Sequence, residues 1–459
     1  MTEDRQAPFQ RLSEFTAEML RKRQIPGASM GVLAEGEILT AGLGVTNADH
    51  PLPVTDETLF QIGSITKTFT VLAAMRLVEM GKLDLDATVR TYLPQFRVAD
   101  EAASAQATLR HLFTHTAGWV GDFFDDTGAG DDALSRYVTN MANLEQLAPV
   151  GTVWSYNNAG FSLAGHVIEV VTGKSYQAAL RELVLEPLGL QHCHLNPGDV
   201  MTHGFAVGHQ MGEKGPQVAR PWPLPTSAHP AGGIVCHVKD LLLYARFHLA
   251  DGTTADGTKL LSPESMSIMH SPQVAIWGDK EEMGLSWFVN EIDGTRTLSH
   301  GGGTNGQVTL LQLVPGRRFA IAVFTNADQG GTVTGEVSRW ALQQYLGLDS
   351  KDPAPIESTV EDLVPYAGRY VNPASGELEI GILGGRLVGQ VTPKGGFPTR
   401  DSPPPPKPAP MAFAPCEKDR LLVVDGPFKG AKADFIRQQD GSIGWLRASG
   451  RIYRRDSRP

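Results

Sequence analysis

A serine and a lysine three residues apart, Ser64 and Lys67, offer the chemistry of an activated nucleophile. Positions i and i+3 share a helix face, so the amine can sit beside the hydroxyl. A lysine in a partly desolvated site loses its proton more easily and can then activate the serine. This is the only S-x-x-K pattern in the chain. Taken alone, it is equally typical of two exposed residues on a helix.

A second group of polar residues is Tyr156-Asn157-Asn158, a Y-x-N pattern. The phenol could act as a general base if a nearby ammonium group lowers its pKa. The amide of Asn158 could hold both Lys67 and a substrate carbonyl. The overlapping pattern Ser155-x-Asn157 leaves a second register open.

The third group is His300-Gly301-Gly302, which lies at the end of a predicted strand. Small residues let the backbone approach a ligand closely. The N–H of Gly303 could then face an oxyanion, opposite the N–H of Ser64. The three groups together could therefore support acyl transfer.

A competing serine is Ser29, because Gly27 to Gly31 read G-x-S-x-G, the pattern of the α/β-hydrolase nucleophile elbow. Such an elbow needs a strand before the serine and a helix after it. Here an apolar helical pattern precedes the serine and a strand pattern follows, so Ser29 is predicted to be a strand residue. A second Y-x-N, at Tyr370 to Asn372, also falls in a predicted strand.

The surrounding pattern predicts an α+β domain at residues 1–350. A linker is predicted at 351–363 and a small all-β barrel domain at 364–459, with seven short strands and an extended proline-rich loop. All three motifs precede the linker, so the first 355 residues are expected to be acylated without the barrel.

Composition narrows the function classes. The 459 residues carry a net charge of −10, which argues against nucleic acid or an anionic membrane as the main partner. The three cysteines are far apart and imply no disulfide framework. The N-terminus has no apolar signal segment and no apolar run is long enough to span a membrane, so a cytoplasmic location is expected.

The order S-x-x-K, Y-x-N, H-x-G resembles the serine β-lactamase and penicillin-binding-protein superfamily. The similarity covers about residues 8 to 345 and is greatest to the branch of class C β-lactamases, family VIII carboxylesterases and D-aminopeptidases. It includes "IPGASMGV", "LFTHTAGW" and "HPAGGIVCHVKDLLLYARF". The C-terminal domain resembles the lipocalin-like domain of some peptidase members.

The resemblance implies that the first domain is an antiparallel sheet flanked by helices plus a helical subdomain. It also implies that Ser64 is acylated, that Lys67 and Tyr156 share the proton transfers, and that water releases the acyl group. Many relatives carry lysine where this chain has His300, and neutral imidazole binds a β-lactam carboxylate less well. We therefore expect an esterase-type serine hydrolase of small esters or amides. A D-stereospecific peptidase, a weak β-lactamase and a non-catalytic ligand-binding relative stay open as alternatives, as does a homo-oligomer.

No cofactor or metal is expected. Residues 192–194 read His-Cys-His, but a metal site needs further converging ligands, and nothing in the sequence places His111 or His115 nearby. His115 is interpreted as a hydrogen-bonded structural residue. Three aromatic residues in a Gly/Asp-rich loop fit either a substrate-pocket wall or ordinary packing: Trp119, Phe123 and Phe124.

Overall fold

The computed structural model describes residues 6–278, 281–426 and 428–456. An antiparallel sheet of eight strands and a closed barrel of eight strands account for most of its β structure. The strands before the barrel are β1 (Gly27–Ala34), β2 (Glu37–Gly44), β3 (Phe60–Gln61), β4 (Cys193–His194), β5 (His209–Gly212), β6 (Gly215–Val218), β7 (Val235–Cys236), β8 (Val274–Trp277), β9 (Glu281–Met283), β10 (Phe288–Ile292), β11 (Thr295–Thr304), β12 (Gln307–Val314) and β13 (Phe319–Thr325). The barrel strands are β14 (Gly368–Asn372), β15 (Gly376–Leu383), β16 (Arg386–Pro393), β17 (Met411–Glu417), β18 (Arg420–Asp425), β19 (Lys432–Arg437), β20 (Ile443–Ala448) and β21 (Arg451–Arg455).

The helices lie mainly between β2 and β8 and after β13. They are α1 (Gln6–Arg23), α2 (Thr66–Glu79), α3 (Val89–Tyr92), α4 (Glu101–Gln106), α5 (Leu109–Phe113), α6 (Ala133–Asn140), α7 (Asn158–Thr172), α8 (Tyr176–Leu180), α9 (Pro197–Val200), α10 (His229–Gly232), α11 (Val238–Leu249), α12 (Pro263–His270), α13 (Gly330–Leu346) and α14 (Val360–Leu363). No helix in the described ranges is both long and apolar enough to cross a membrane.

The large sheet has the strand order β2-β1-β13-β12-β11-β10-β9-β8. One face packs on α1 and α13 through a core that includes Leu12, Val323 and Val337. The other face packs on α11 and the helical region. Ser29 lies in β1, paired with Gly42 of β2 and Phe324 of β13, and is fully buried. The prediction that Ser29 is a strand residue is confirmed.

Helix α2 is the central helix of the helical region. Eleven of its fourteen residues are buried, and it is apolar on most sides, as expected of a helix enclosed by other elements. A short 3-10 turn at Gly63–Ile65 precedes it. Ser64 therefore lies at the junction between this turn and the first residues of the helix.

The barrel is closed by pairing of β14 with β21, and its interior is filled by side chains such as Tyr370, Phe435 and Leu446. The sequence predicts seven of its strands and misses β17. That segment follows a run of prolines and contains Pro415. Proline cannot donate a backbone hydrogen bond, so it argues against a strand in a sequence-based prediction. A register irregularity between Pro415 and Glu417 accommodates it. The α+β class followed by a β-barrel is confirmed.

Candidate active site

Ser64 and Lys67 are in contact at the start of α2. The Lys67 Nζ lies 3.0 Å from the Ser64 Oγ and donates to the carbonyl oxygen of Ala231 at 2.6 Å. The lysine side chain is fully buried. The spacing of three residues therefore places amine and hydroxyl on one helix face, as the sequence predicts.

The Ala231 carbonyl is held in place by hydroxyl groups on α2. Thr70 Oγ1 lies 2.7 Å from the Pro230 carbonyl oxygen, and the N–H of Ile234 donates to Thr66 Oγ1 at 3.1 Å. These bonds fix α10 and the following residues against α2, the helix that carries Lys67. In the sequence, the segment that contains Ala231 stands out only through the family resemblance. No spacing pattern identifies the Ala231 carbonyl as the acceptor for Lys67.

The surroundings of Lys67 favour its neutral form. Burial lowers the pKa of Lys67 well below that of an exposed lysine, and the positive charge of Arg451 lowers it further. The carboxylate of Asp122 opposes this shift. A neutral amine has a free lone pair, so this lysine can accept the proton of Ser64.

Tyr156 lies in a buried loop whose backbone and ring contact His115. The His115 ring stacks on the phenol ring with centroids 4.4 Å apart, and its Nδ1 accepts from the N–H of Asn157 at 2.9 Å. The His115 carbonyl accepts from the N–H of Ser155 at 2.9 Å. His115 is thus a hydrogen-bonded structural residue, and it positions the Y-x-N loop.

The phenol of Tyr156 lines the same cavity as Ser64. Burial raises the pKa of Tyr156, and its interaction with Ser64 and the charge of Arg451 offset this only in part. The Lys67 Nζ is 4.9 Å from the centroid of the ring. Burial therefore favours the neutral phenol over the phenolate considered from the sequence.

Asn158 lies at the first turn of α7 and lines the cavity beside Ser64. Its Nδ2 donates to Asp122 Oδ1 at 2.7 Å, so in this structure the amide is bonded to a carboxylate and not to Lys67. Its contact with a substrate carbonyl stays a prediction. The alternative register is less suited to catalysis, because Asn157 caps α7 and Ser155 Oγ accepts from the N–H of Ile452.

Strand β11 runs directly against the turn that carries Ser64. A Cβ on Gly302 would lie 1.9 Å from the Ile62 carbonyl oxygen, and one on Gly63 would lie 2.7 Å from the Gly303 nitrogen. Only glycine permits backbone contact this close. The structure thus brings Gly301, Gly302 and Gly303 to the cavity wall next to Ser64.

His300 is buried on β11, with 1% of its surface exposed. Its Nδ1 donates to the Gly301 carbonyl oxygen at 2.6 Å, and Nε2 is buried without a hydrogen-bond partner. Burial, with a smaller effect of Lys67, lowers the pKa of His300 to about 3. The imidazole is therefore neutral, and Nε2 is an acceptor.

The cavity at these residues has a volume of about 820 Å³. Its walls are rich in aromatic side chains: Phe123, Phe124, Trp154, Trp277, Phe288 and Phe397. Two of the three aromatic residues singled out in the sequence are therefore pocket residues. The third, Trp119, is buried in the core against Phe96.

The barrel completes this cavity, although all three sequence motifs precede the linker. Acylation of the first 355 residues without the barrel stays a prediction. Phe397, in the proline-rich loop, meets Phe124 edge to face at 5.1 Å, and the turn between β20 and β21 lies beside Tyr156. Arg451 lines the cavity and pairs with Asp122. Four arginines lie between residues 447 and 455, and nothing in their spacing singles one out.

The His-Cys-His segment lies away from the cavity. Cys193 of β4 pairs with Cys236 of β7, and His192 packs on His237 with ring centroids 4.4 Å apart. Within the described residues there is no group of three or more His, Cys, Asp or Glu side chains arranged to hold a metal ion.

Comparison with known proteins gives the family. The model of the β-lactamase family matches residues 12–345 of this chain. Penicillin-binding protein 4 of Amycolatopsis lactamdurans is 35% identical over 359 residues, which cover 76% of this chain and 94% of that protein. Esterase EstB of Burkholderia gladioli is 34% identical over 222 residues, which cover 45% of this chain and 56% of the esterase.

A solved structure extends the similarity through the barrel. The crystal structure of SurE with D-Leu has a TM-score of 0.77 and 25% identity, and it covers 98% of this chain and 100% of SurE. The chain belongs to the β-lactamase family, whose members similar to it include a penicillin-binding protein and an esterase.

Proposed function

We propose that this protein is a serine hydrolase that cleaves small carboxylic esters through an acyl-enzyme on Ser64. The observation that carries the proposal is the contact of 3.0 Å between the Ser64 Oγ and a fully buried lysine amine. A lysine whose pKa is lowered by burial can act as a base near neutral pH.

In the acylation step, the Lys67 amine takes the Ser64 hydroxyl proton while Oγ attacks the substrate carbonyl carbon. The carbonyl oxygen becomes an oxyanion facing the N–H groups of Ser64 and Gly303. When the tetrahedral intermediate collapses, the bond to the leaving alkoxide breaks. The Lys67 ammonium returns its proton to that oxygen through the Tyr156 phenol.

Deacylation reverses these roles. A water molecule attacks the acyl carbon and passes its proton through Tyr156 to Lys67. The bond to Ser64 Oγ then breaks, Oγ recovers a proton, and the carboxylic acid leaves. The neutral phenol suits this relay, because it can donate one proton while accepting another.

The cavity favours uncharged, apolar substrates, because the cations that line it, Lys432, Arg447 and Arg451, are each paired with a carboxylate. Aromatic side chains line its walls, and His300 supplies a neutral imidazole in place of a permanent cation. Esterase EstB is similar to this chain over about half of the chain's length, which supports ester cleavage. These features make β-lactams, with their carboxylate, the less favoured substrates.

A second candidate is cleavage of amides or short peptides that contain a D-residue. The unpartnered Nε2 of His300 favours it, because a neutral imidazole acceptor in the cavity could bind a substrate N–H, which esters lack. The likeness to SurE, solved with D-Leu, adds support.

The experiment compares Ser64→Ala and Ser29→Ala on p-nitrophenyl butyrate and on D-alanyl and D-leucyl p-nitroanilides. We expect Ser64→Ala to abolish turnover and Ser29→Ala to stay within a few-fold of the unmodified protein. Faster relative turnover of the anilides would favour the peptidase. Full activity of a folded Ser64→Ala variant would contradict both enzyme functions.

A further inference from the structure

The turn between β20 and β21 is built into the loop that carries Tyr156. The N–H of Tyr156 donates to the Gly450 carbonyl oxygen at 2.8 Å, and the N–H of Ile452 donates to Ser155 Oγ at 3.2 Å. A Cβ on Gly450 would lie 3.2 Å from the Trp154 ring. The barrel backbone thus approaches the Y-x-N loop as closely as packing allows.

The next residue, Arg451, reaches across this loop to the helical region. Its Nε and Nη2 donate to the two carboxylate oxygens of Asp122 at 3.0 and 3.1 Å. Asp122 also accepts from Asn158 at 2.7 Å. The guanidinium carbon lies 4.7 Å from the centroid of the Tyr156 ring, in the range of a cation–π contact.

We propose that Arg451 is a positioning residue of the active site, contributed by the barrel, which holds the Tyr156 phenol at Ser64 and places a fixed positive charge near Lys67. The proposal rests on the proposed acylation of Ser64. It goes beyond that function by making the barrel part of the proton-transfer machinery. Arg451 and Asp122 act as a pair whose fork geometry fixes the guanidinium plane.

The charge environment of Lys67 supports this role. Its Nζ lies 4.9 Å from the same ring centroid, so the two cationic groups are at most about 10 Å apart. Arg451 lowers the pKa of Lys67 and Asp122 raises it. The two imidazoles near the amine, His115 and His300, have pKa values lowered by burial and carry no charge at neutral pH.

Removing the arginine charge should therefore move the pH dependence of acylation. A unit charge about 10 Å away changes a pKa by about 0.3 to 1.2 between the dielectric limits of water and a protein surface. In Arg451→Gln the Lys67 amine stays protonated to higher pH, so the rising limb of the plot of acylation rate against pH shifts to higher pH. The rate on that limb then falls by about 2- to 20-fold.

The test measures the rate at which a fluorophosphonate labels the full chain between pH 5 and 9, by intact-mass spectrometry. Arg451→Gln should shift the limb upward. The double variant Arg451→Gln/Asp122→Asn, which removes both charges, should return the limb toward its original pH but label more slowly, because the phenol is no longer held. Arg451→Lys should keep the original limb, also with a lower rate.

A matched control is Arg437→Gln. Arg437 forms the same two-bonded pair with Asp419 on the surface of the barrel domain, at 2.9 and 2.6 Å. The Arg437→Gln variant should leave the rising limb of the labelling rate at its original pH.

An unshifted limb in a folded Arg451→Gln variant, or an equal shift in the control, would overturn the proposal. If Arg451→Gln does not fold, the double variant decides, and an unchanged labelling rate would overturn it. Failure of the unmodified protein to be labelled at Ser64 would instead contradict the proposed function.

Discussion

Replacing Gly63 with alanine should damage the oxyanion site without touching a catalytic side chain. The new Cβ would lie 2.7 Å from the Gly303 nitrogen and 2.9 Å from its carbonyl oxygen. Ordinary contact needs roughly 3.5 Å, so β11 would have to move away by roughly 0.8 Å. Losing one oxyanion donor costs about 10²- to 10³-fold, and a shift of this size should cost about 10²-fold.

The assay is kcat/KM for p-nitrophenyl butyrate, with Gly81→Ala as the matched control. Both glycines have positive φ, +52° and +69°, but a Cβ on Gly81 meets nothing within 4 Å. Each substitution should lower the unfolding free energy by about 1–2 kcal/mol through backbone strain. Only Gly63→Ala should also lower kcat/KM.

The two variants must be compared at equal folded fraction, checked by circular dichroism and thermal unfolding. If Gly63→Ala is folded and retains the kcat/KM of Gly81→Ala, the close approach of the turn to β11 does not form the oxyanion site. The reasoning about the third motif would then be refuted.

Three further predictions concern single side chains. Lys67→Met should slow acylation of Ser64 by about 10²- to 10⁴-fold, measured by fluorophosphonate labelling; a rate within a few-fold would mean that another base serves. His300→Lys should raise the ratio of kcat/KM for nitrocefin to kcat/KM for p-nitrophenyl butyrate by roughly 5- to 150-fold. The reason is an added contact of about 1–3 kcal/mol between the lysine and the nitrocefin carboxylate. An unchanged ratio would mean that position 300 does not face this carboxylate. The pKa of His229 is lowered to about 4 and that of His300 to about 3, so the unfolded chain binds more protons below pH 6.5. The stability that these two neutral imidazoles give the fold is present above pH 6.5 and is lost as the pH falls toward 4 for His229 and toward 3 for His300. The loss is up to about 1.4 kcal/mol per pH unit for each group, so the urea midpoint should decrease from pH 7 to 6 to 5. Midpoints that do not decrease would contradict this prediction.

The parts of the site that were predictable from sequence are local ones. Ser64 and Lys67 meet because they are three residues apart, Ser64 in the 3-10 turn and Lys67 in the first turn of the helix that follows it. Ser29 could be placed in a strand from the elements beside it. The glycines after His300 indicated a close backbone approach, which β11 makes.

The contributions of the barrel were not predictable in this way. Arg451 is 329 positions from its partner Asp122, and no periodicity encodes how the barrel docks on the helical region. Strand β17 was missed because proline removes a backbone donor, and the pairing of β17 with β18 shifts register after Pro415. The partner of Asn158 likewise depends on a carboxylate that folding brings to it.

The most direct measurement of the central claim is the site of covalent labelling. The full chain is treated with a fluorophosphonate at neutral pH, its intact mass is recorded, and the modified peptide is sequenced by tandem mass spectrometry. The account predicts one adduct, on Ser64, that is absent in Ser64→Ala and present in Ser29→Ala. An adduct on Ser29, or none on a folded protein, would contradict it.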